Sequence, residues 1–232
     1  MGKKIQIALG IALAVVTVRT AYILYERHAE EAPQVHKPAP ALNADYYVTP
    51  KKLYLYDLKS AQQLTQQPVW VKLGYAYTYY PYDMERHSVN FAHEAGQLPP
   101  LEKLQIKDVI TASAPGSPGR QIMAVFEKDG KADAFSIGME SDGNYHFYSD
   151  DMLFIQDPHE LYKHWSAETW AAIDQHQVMP GMNELQVSFA VGLGVAEGSG
   201  GSEDKTLDYA NGGKPLSVTF RNGKAVQVQK GS

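Results

Sequence analysis

Residues 5–25 constrain this chain more than any other stretch, because they form a largely apolar run preceded by Lys3 and Lys4. At about 1.5 Å of rise per residue, a helix of that length reaches across a hydrocarbon layer of about 30 Å. The pattern predicts a single transmembrane helix, a signal-anchor, over residues 1–25. Arg19 interrupts the run near its far end, where a long side chain can snorkel to the headgroups beside Tyr22 and Tyr25. Lys3 and Lys4 keep the N-terminus cytoplasmic. The rest is then expected on the periplasmic or extracellular side of a bacterial inner membrane, in the cell envelope. The alternative is a cleaved secretory signal with residues 5–18 as its apolar core, although the small-x-small site Ala39-Pro40-Ala41 lies far downstream.

After the anchor, residues 26–44 carry Pro33, Pro38 and Pro40 among Ala, Glu and Lys, which predicts a flexible linker. The remaining chain has material for one large or two small domains, and its pattern divides it into a β-rich domain over 45–155 and an α+β domain over 156–232. A formal charge of -5 gives no broad basic surface and speaks against a nucleic-acid partner. With no cysteine, disulfides, thiolate metal sites and a cysteine nucleophile are excluded.

From Asp45 the apolar residues recur with period two, in Tyr46-Tyr47-Val48, Leu53-Tyr54-Leu55-Tyr56 and Val69-Trp70-Val71, which predicts short strands. The run 74–80 puts Tyr75, Tyr77 and Tyr79 on one face of a strand that Pro81 should end. The cluster Tyr77, Tyr79, Tyr80 and Tyr82 is the candidate ligand-binding surface, since aromatic groups beside a rigid proline make contact hot spots; the competing expectation is that these rings fill a small core. Further strands are expected over 101–109, 121–127, 132–139 and 145–148, with tight turns at Asp129-Gly130 and Asp142-Gly143. The short strands and long intervening loop of residues 45–109 resemble the small Src-homology-three-like barrels of exported bacterial proteins.

Helical signals begin at Asp157-Pro158, with Asp157 as cap and Pro158 at the first helical position. Ser166 can cap a second helix through Trp170 and Ile173, and Asn183 with Gln186 makes a capping box for a third that Gly192 closes. Strands are expected over 206–209, 216–220 and 224–229, the last two joined by Asn222-Gly223. Gly181-Met182-Asn183, Gln186-Val187, Val191-Gly192 and the hairpin Leu216-Ser217-Val218-Thr219-Phe220 with Asn222-Gly223-Lys224 resemble the SmpA/OmlA, or BamE-like, envelope domains. That resemblance covers residues 166–229 and implies two helices packed on a three-stranded antiparallel meander. The family's lipobox cysteine is absent, and Leu207 stands where an aromatic residue is commoner, so a shared fold is the expectation rather than a shared role in outer-membrane assembly.

Motifs that carry chemistry do not assemble. His159 and His164 are five apart, about 140° around a helix, and do not match the zinc-protease spacing. Asp150, Asp151 and Asp157 lack the glycine turn and terminal glutamate of a calcium loop, and the glycines from Gly192 to Gly201 lack the Lys-Ser/Thr of a phosphate loop. No metal and no cofactor is therefore expected. The sequence points to a membrane-anchored binding or assembly module without catalytic activity, recognising an envelope protein or polymer, of undetermined oligomeric state. The alternative is an envelope enzyme whose site assembles from distant residues, for which a cleft gathering His87, His93, His146 or Glu94 would speak.

Overall fold

The computed structural model describes residues 2–30, 43–196 and 204–231. Its contacts divide the chain into two units, Met1–Asn43 and Ala44–Ser232, which are described separately. Residues 31–42 of the expected linker, including the candidate cleavage site, lie outside the described residues, as do 197–203 of the glycine-rich loop.

The first unit holds one helix, α1 (Lys3–Glu30), of 28 residues. It corrects the expected membrane span, because no helix among the described residues is long and apolar enough to cross a membrane. The physical reason lies in the polar residues within 5–25. The run free of polar residues extends only from Ile7 to Val16, about ten residues or about 15 Å of helix, half of a hydrocarbon layer. Beyond it come Thr17, Arg19 and Thr20, and the helix continues through Glu26 into the expected linker. The signal-anchor and the single-pass inner-membrane placement therefore fall together.

The second unit is α+β with antiparallel sheets. It opens with a single 3-10 turn, Ala44–Tyr47, followed by an irregular segment to residue 57 in which no strand forms. A capping box between Asp57 and Ser60 then starts α2 (Leu58–Ala61). Three sheets follow. The largest uses β2 (Thr78–Asp83), β3 (Ser88–Val89), β4 (Gly96–Gln97), β6 (Ile106–Ser113), β7 (Arg120–Lys128), β8 (Lys131–Ser141) and β9 (Asn144–Phe147). Its main path is β3-β2-β8-β7-β6, with β4 also on β2 and β9 also on β8. A three-stranded sheet sets β1 (Val69–Val71) between β5 (Lys103–Leu104) and β10 (Leu153–Phe154), with the short α3 (Ser149–Met152) leading into β10. After α4 (Pro158–Leu161), α5 (Ala167–Asp174) and α6 (Glu184–Val191) comes a four-stranded meander, β11 (Gly194–Ala196), β12 (Lys205–Tyr209), β13 (Leu216–Arg221) and β14 (Lys224–Lys230).

The two-helix, three-strand arrangement implied by the SmpA/OmlA likeness is corrected here: the α-helices number six among the described residues, and the last sheet has four strands. The extra strand, β11, arises from the glycine-rich stretch, where Gly194 lets the backbone pass the Tyr209 ring; a Cβ there would lie 2.7 Å from it.

Patterning explains the cores. β7 is buried continuously from Ile122 to Phe126 because both of its faces are covered. Ile122, Ala124 and Phe126 face the main core with Phe135, Ile137, Leu104, Ile106, Val69 and Val71. Met123 and Val125 face a smaller core with Tyr82 and Ala134. The turn at Asp129-Gly130, with both residues at positive φ, has the hand that matches the right-handed twist of β7 and β8. An aromatic core of Trp70, Phe154, Tyr162, Trp165, Trp170 and Phe189 packs α5 and α6 onto the meander. Ala225 of β14 closes that layer, donating its N–H to the Met182 carbonyl and accepting from the Gly181 N–H, each at 2.8 Å. Gly192 ends α6 at φ +92°, where a Cβ would press to 2.7 Å from the Gly74 carbonyl.

One buried group in this layer is costly. The Tyr209 hydroxyl has no hydrogen-bond partner among the described residues, and burial pushes its phenol well above the ordinary value. A buried unsatisfied hydroxyl costs about 1 to 3 kcal/mol. Tyr209→Phe, which keeps the ring, is therefore expected to raise the urea midpoint by the equivalent of about 1 kcal/mol; a loss of stability would show that the hydroxyl has an acceptor.

Candidate functional site

The segment from Ala44 to Asp57 is a strap whose sequence decides its orientation. Val48 packs on the aromatic core, and Leu53 and Leu55 pack on the main core. Tyr54 and Tyr56 alternate with these leucines and are exposed, as are Tyr46 and Tyr47 in the 3-10 turn. These four tyrosines are between 71% and 76% exposed, within eleven residues of chain. Tyr54 sits at φ +53°, an uncommon conformation for a bulky residue that the surroundings must hold in place.

Side chains from distant parts of the chain supply that restraint. At one end the Asp45 carboxylate accepts three hydrogen bonds, from His164 Nε2 at 2.6 Å, Trp165 Nε1 at 2.6 Å and Asn183 Nδ2 at 2.7 Å. Burial alone would raise the Asp45 carboxyl, but those three donors and the charge of His164 outweigh it and hold the group below its ordinary value. In the middle, the Lys51 N–H donates to Gln156 Oε1 at 2.9 Å and the Leu53 N–H to Asp150 Oδ1 at 3.1 Å. At the far end Ser60 Oγ accepts from the Tyr56 and Asp57 N–H groups, each at 3.0 Å, while Asp57 accepts from the Ser60 N–H at 2.6 Å. Both acids of the strap are thus engaged, whereas Lys51, Lys52 and the following Lys59 are exposed. The result is an anchored row of phenol rings with two exposed lysines between them.

The four tyrosines singled out in the sequence lie elsewhere. β2 starts at Thr78 and runs through Pro81 to Asp83, so Pro81 does not end it; the Pro81 carbonyl still accepts from the Asn90 N–H at 2.9 Å. Tyr75, at φ +60°, interrupts the expected alternation with Tyr77 and Tyr79. Tyr77 and Tyr79 pack on the main core, Tyr80 on the smaller one, and Tyr82 is only 7% exposed within it. Burial pushes the Tyr77 phenol up to about 12, with the Asp151 charge adding to it. The four rings do not share one face. Two of them, Tyr79 and Tyr82, line a cleft of about 630 Å³ together with Pro81, Lys128, Lys131 and Asp133. None of His87, His93, His146 and Glu94 lines it.

The histidines of the helical region are taken by separate partners. His159 stacks on Trp170 at 4.0 Å and reaches Asp157 at 3.1 Å and Asp174 at 3.2 Å, whereas His164 turns to Asp45. Asp157 also caps α4, accepting from the His159 N–H, and Asp150 holds the strap.

Sequence reasoning did not single out Tyr46, Tyr47, Tyr54, Tyr56 or Asp45 as functional. The alternation Leu53-Tyr54-Leu55-Tyr56 was a usable signal for the outward rings. Asp45 had none, because its partners are 119 to 138 residues away. No family model matches the chain, and no curated protein and no solved structure matches it either.

Proposed function

We propose that this protein is a non-catalytic binding module that recognises a partner protein or polymer through the tyrosine strap, with Tyr46, Tyr47, Tyr54 and Tyr56 as contact groups and Lys51 and Lys52 beside them. The observation that carries this reading is the exposure of four phenol rings on a segment fixed at both ends and in the middle. A folded chain gains nothing from holding large amphipathic rings in water. At an interface they supply contact area at a low cost in conformational entropy, and tyrosine is enriched among binding hot spots. Anchoring the strap beforehand further lowers the ordering cost of association.

The test is a cross-linked pull-down of the tagged protein from its native cells, followed by direct binding of the recovered partner to purified protein. Tyr54→Ala/Tyr56→Ala is expected to weaken that binding at least about tenfold at unchanged folding stability. Tyr46→Ala/Tyr47→Ala is expected to act in the same direction. Equal affinity for the parent protein and both variants would overturn the reading.

A further inference from the structure

Asp133 stands apart from every other acid in the β-rich part. It is 6% exposed, and among the described residues no hydrogen bond or ion pair reaches its carboxylate. Its cross-strand neighbours are Pro81 on β2 and Phe126 on β7, neither of which offers a side-chain donor. Its oxygens are not sealed off, so the donors that the carboxylate lacks within the protein must come from whatever fills the space beside it. The direction of its titration agrees: burial raises the Asp133 carboxyl, and Lys131 and Lys128 offset this only in part.

The carboxylate contributes to the wall of the cleft of about 630 Å³, a volume in the range of small-ligand sites. Tyr79 and Pro81, on the same sheet face as Asp133, line that cleft, and Asp129 and Lys131 stand at its exposed rim. Lys128 is already committed. It pairs with Glu102 and lies 5.8 Å from the centre of the Tyr79 ring. The second oxygen of Glu102 is itself buried without a partner. Of the charged groups that line the cleft, Lys128 is thus drawn to Glu102 outside it, while Lys131, Asp129 and Asp133 have no ion pair among the described residues.

We propose that the cleft binds a primary ammonium group, which donates to the Asp133 carboxylate beside the ring of Tyr79. An ammonium supplies the donors that Asp133 lacks and is attracted to aromatic faces. The same chemistry is carried by a free alkylamine and by a lysine side chain of a partner. Neither source depends on the strap, so this site stands or falls independently of the tyrosines proposed above.

The test is a titration followed by amide NMR of the full chain near neutral pH, with n-butylammonium and with acetyl-Gly-Lys-Gly-amide. n-Butanol and acetyl-Gly-norleucine-Gly-amide serve as uncharged counterparts. Saturable shifts of the amides of Tyr79, Tyr80 and Tyr82 and of residues 128–133 are expected with the two ammonium probes and not with their counterparts. Asp133→Asn should weaken binding at least about tenfold, the worth of one charge-assisted hydrogen bond. Lys131→Ala, which removes a competing charge from the exposed rim, should tighten it about two- to fivefold and keeps the test decisive should the Asp133 variant not fold. Binding to the lysine peptide at least tenfold tighter than to the alkylamine assigns the source to a protein, and equal binding assigns it to a free amine. Equal shifts with the uncharged probes, unchanged affinity in a folded Asp133→Asn, or no saturable shift would overturn the proposal.

Discussion

Asp45→Ala is expected to lower the unfolding free energy by about 3 kcal/mol, read from urea unfolding near neutral pH. The carboxylate keeps only 10% of its side-chain surface in solvent, and it is the common acceptor for His164, Trp165 and Asn183. Alanine leaves three donors to find water in a crowded corner. Asp45→Asn, which keeps one acceptor oxygen and loses the charge, should cost about half as much. The effect carries a definite pH dependence. Folding lowers the Asp45 pKa below its ordinary value of 3.8, so its contribution is present above that value and is lost as the pH falls through the lower, folded one. The stability difference between the parent protein and Asp45→Ala should therefore shrink in acid below 3.8. A difference that grew in acid would show that the carboxyl is not held as described.

Trp165→Ala should be the most damaging single change, at about 4 kcal/mol, because it removes both a packing centre and a donor. The ring stacks 4.6 Å from Tyr162 and lies 5.2 Å from Trp170 and 5.5 Å from Phe189, while its N–H reaches Asp45. Trp165→Phe separates the two roles: it keeps most of the ring and loses the N–H, so about 1 to 2 kcal/mol is expected. Combined with Asp45→Ala it should fall short of additivity by about 1 kcal/mol, the signature of a shared contact. Full additivity in urea unfolding would mean that Asp45 and Trp165 act separately.

Local chemistry was legible wherever a few neighbouring residues decide the outcome. Asp129-Gly130, Asp142-Gly143 and Asn222-Gly223 all turn at positive φ, as two-residue hairpins require, and Ser166 and Asn183 both cap helices through their side chains. What depends on distant partners was not legible. Period-two alternation in residues 53–56 reports which side is buried, but a strap lying on a core and a strand in a sheet produce the same pattern. Likewise, which core each of Tyr79, Tyr80 and Tyr82 meets follows from the pairing of β2 with β8, so rings adjacent in sequence serve different cores. The membrane span failed for another reason. Residues 5–25 are long enough from end to end, but crossing depends on the unbroken apolar part, and Thr17, Arg19 and Thr20 shorten that to about half of what is needed.

Tyrosine-specific chemical footprinting, with and without the recovered partner, tests the central claim most directly. In the protein alone, Tyr46, Tyr47, Tyr54 and Tyr56 should react rapidly, while Tyr82, Tyr162 and Tyr209, all less than 9% exposed, should react slowly. In the complex, the four strap tyrosines should lose their reactivity together. Persisting reactivity of all four in a saturated complex would place the partner elsewhere and contradict the strap as the recognition surface.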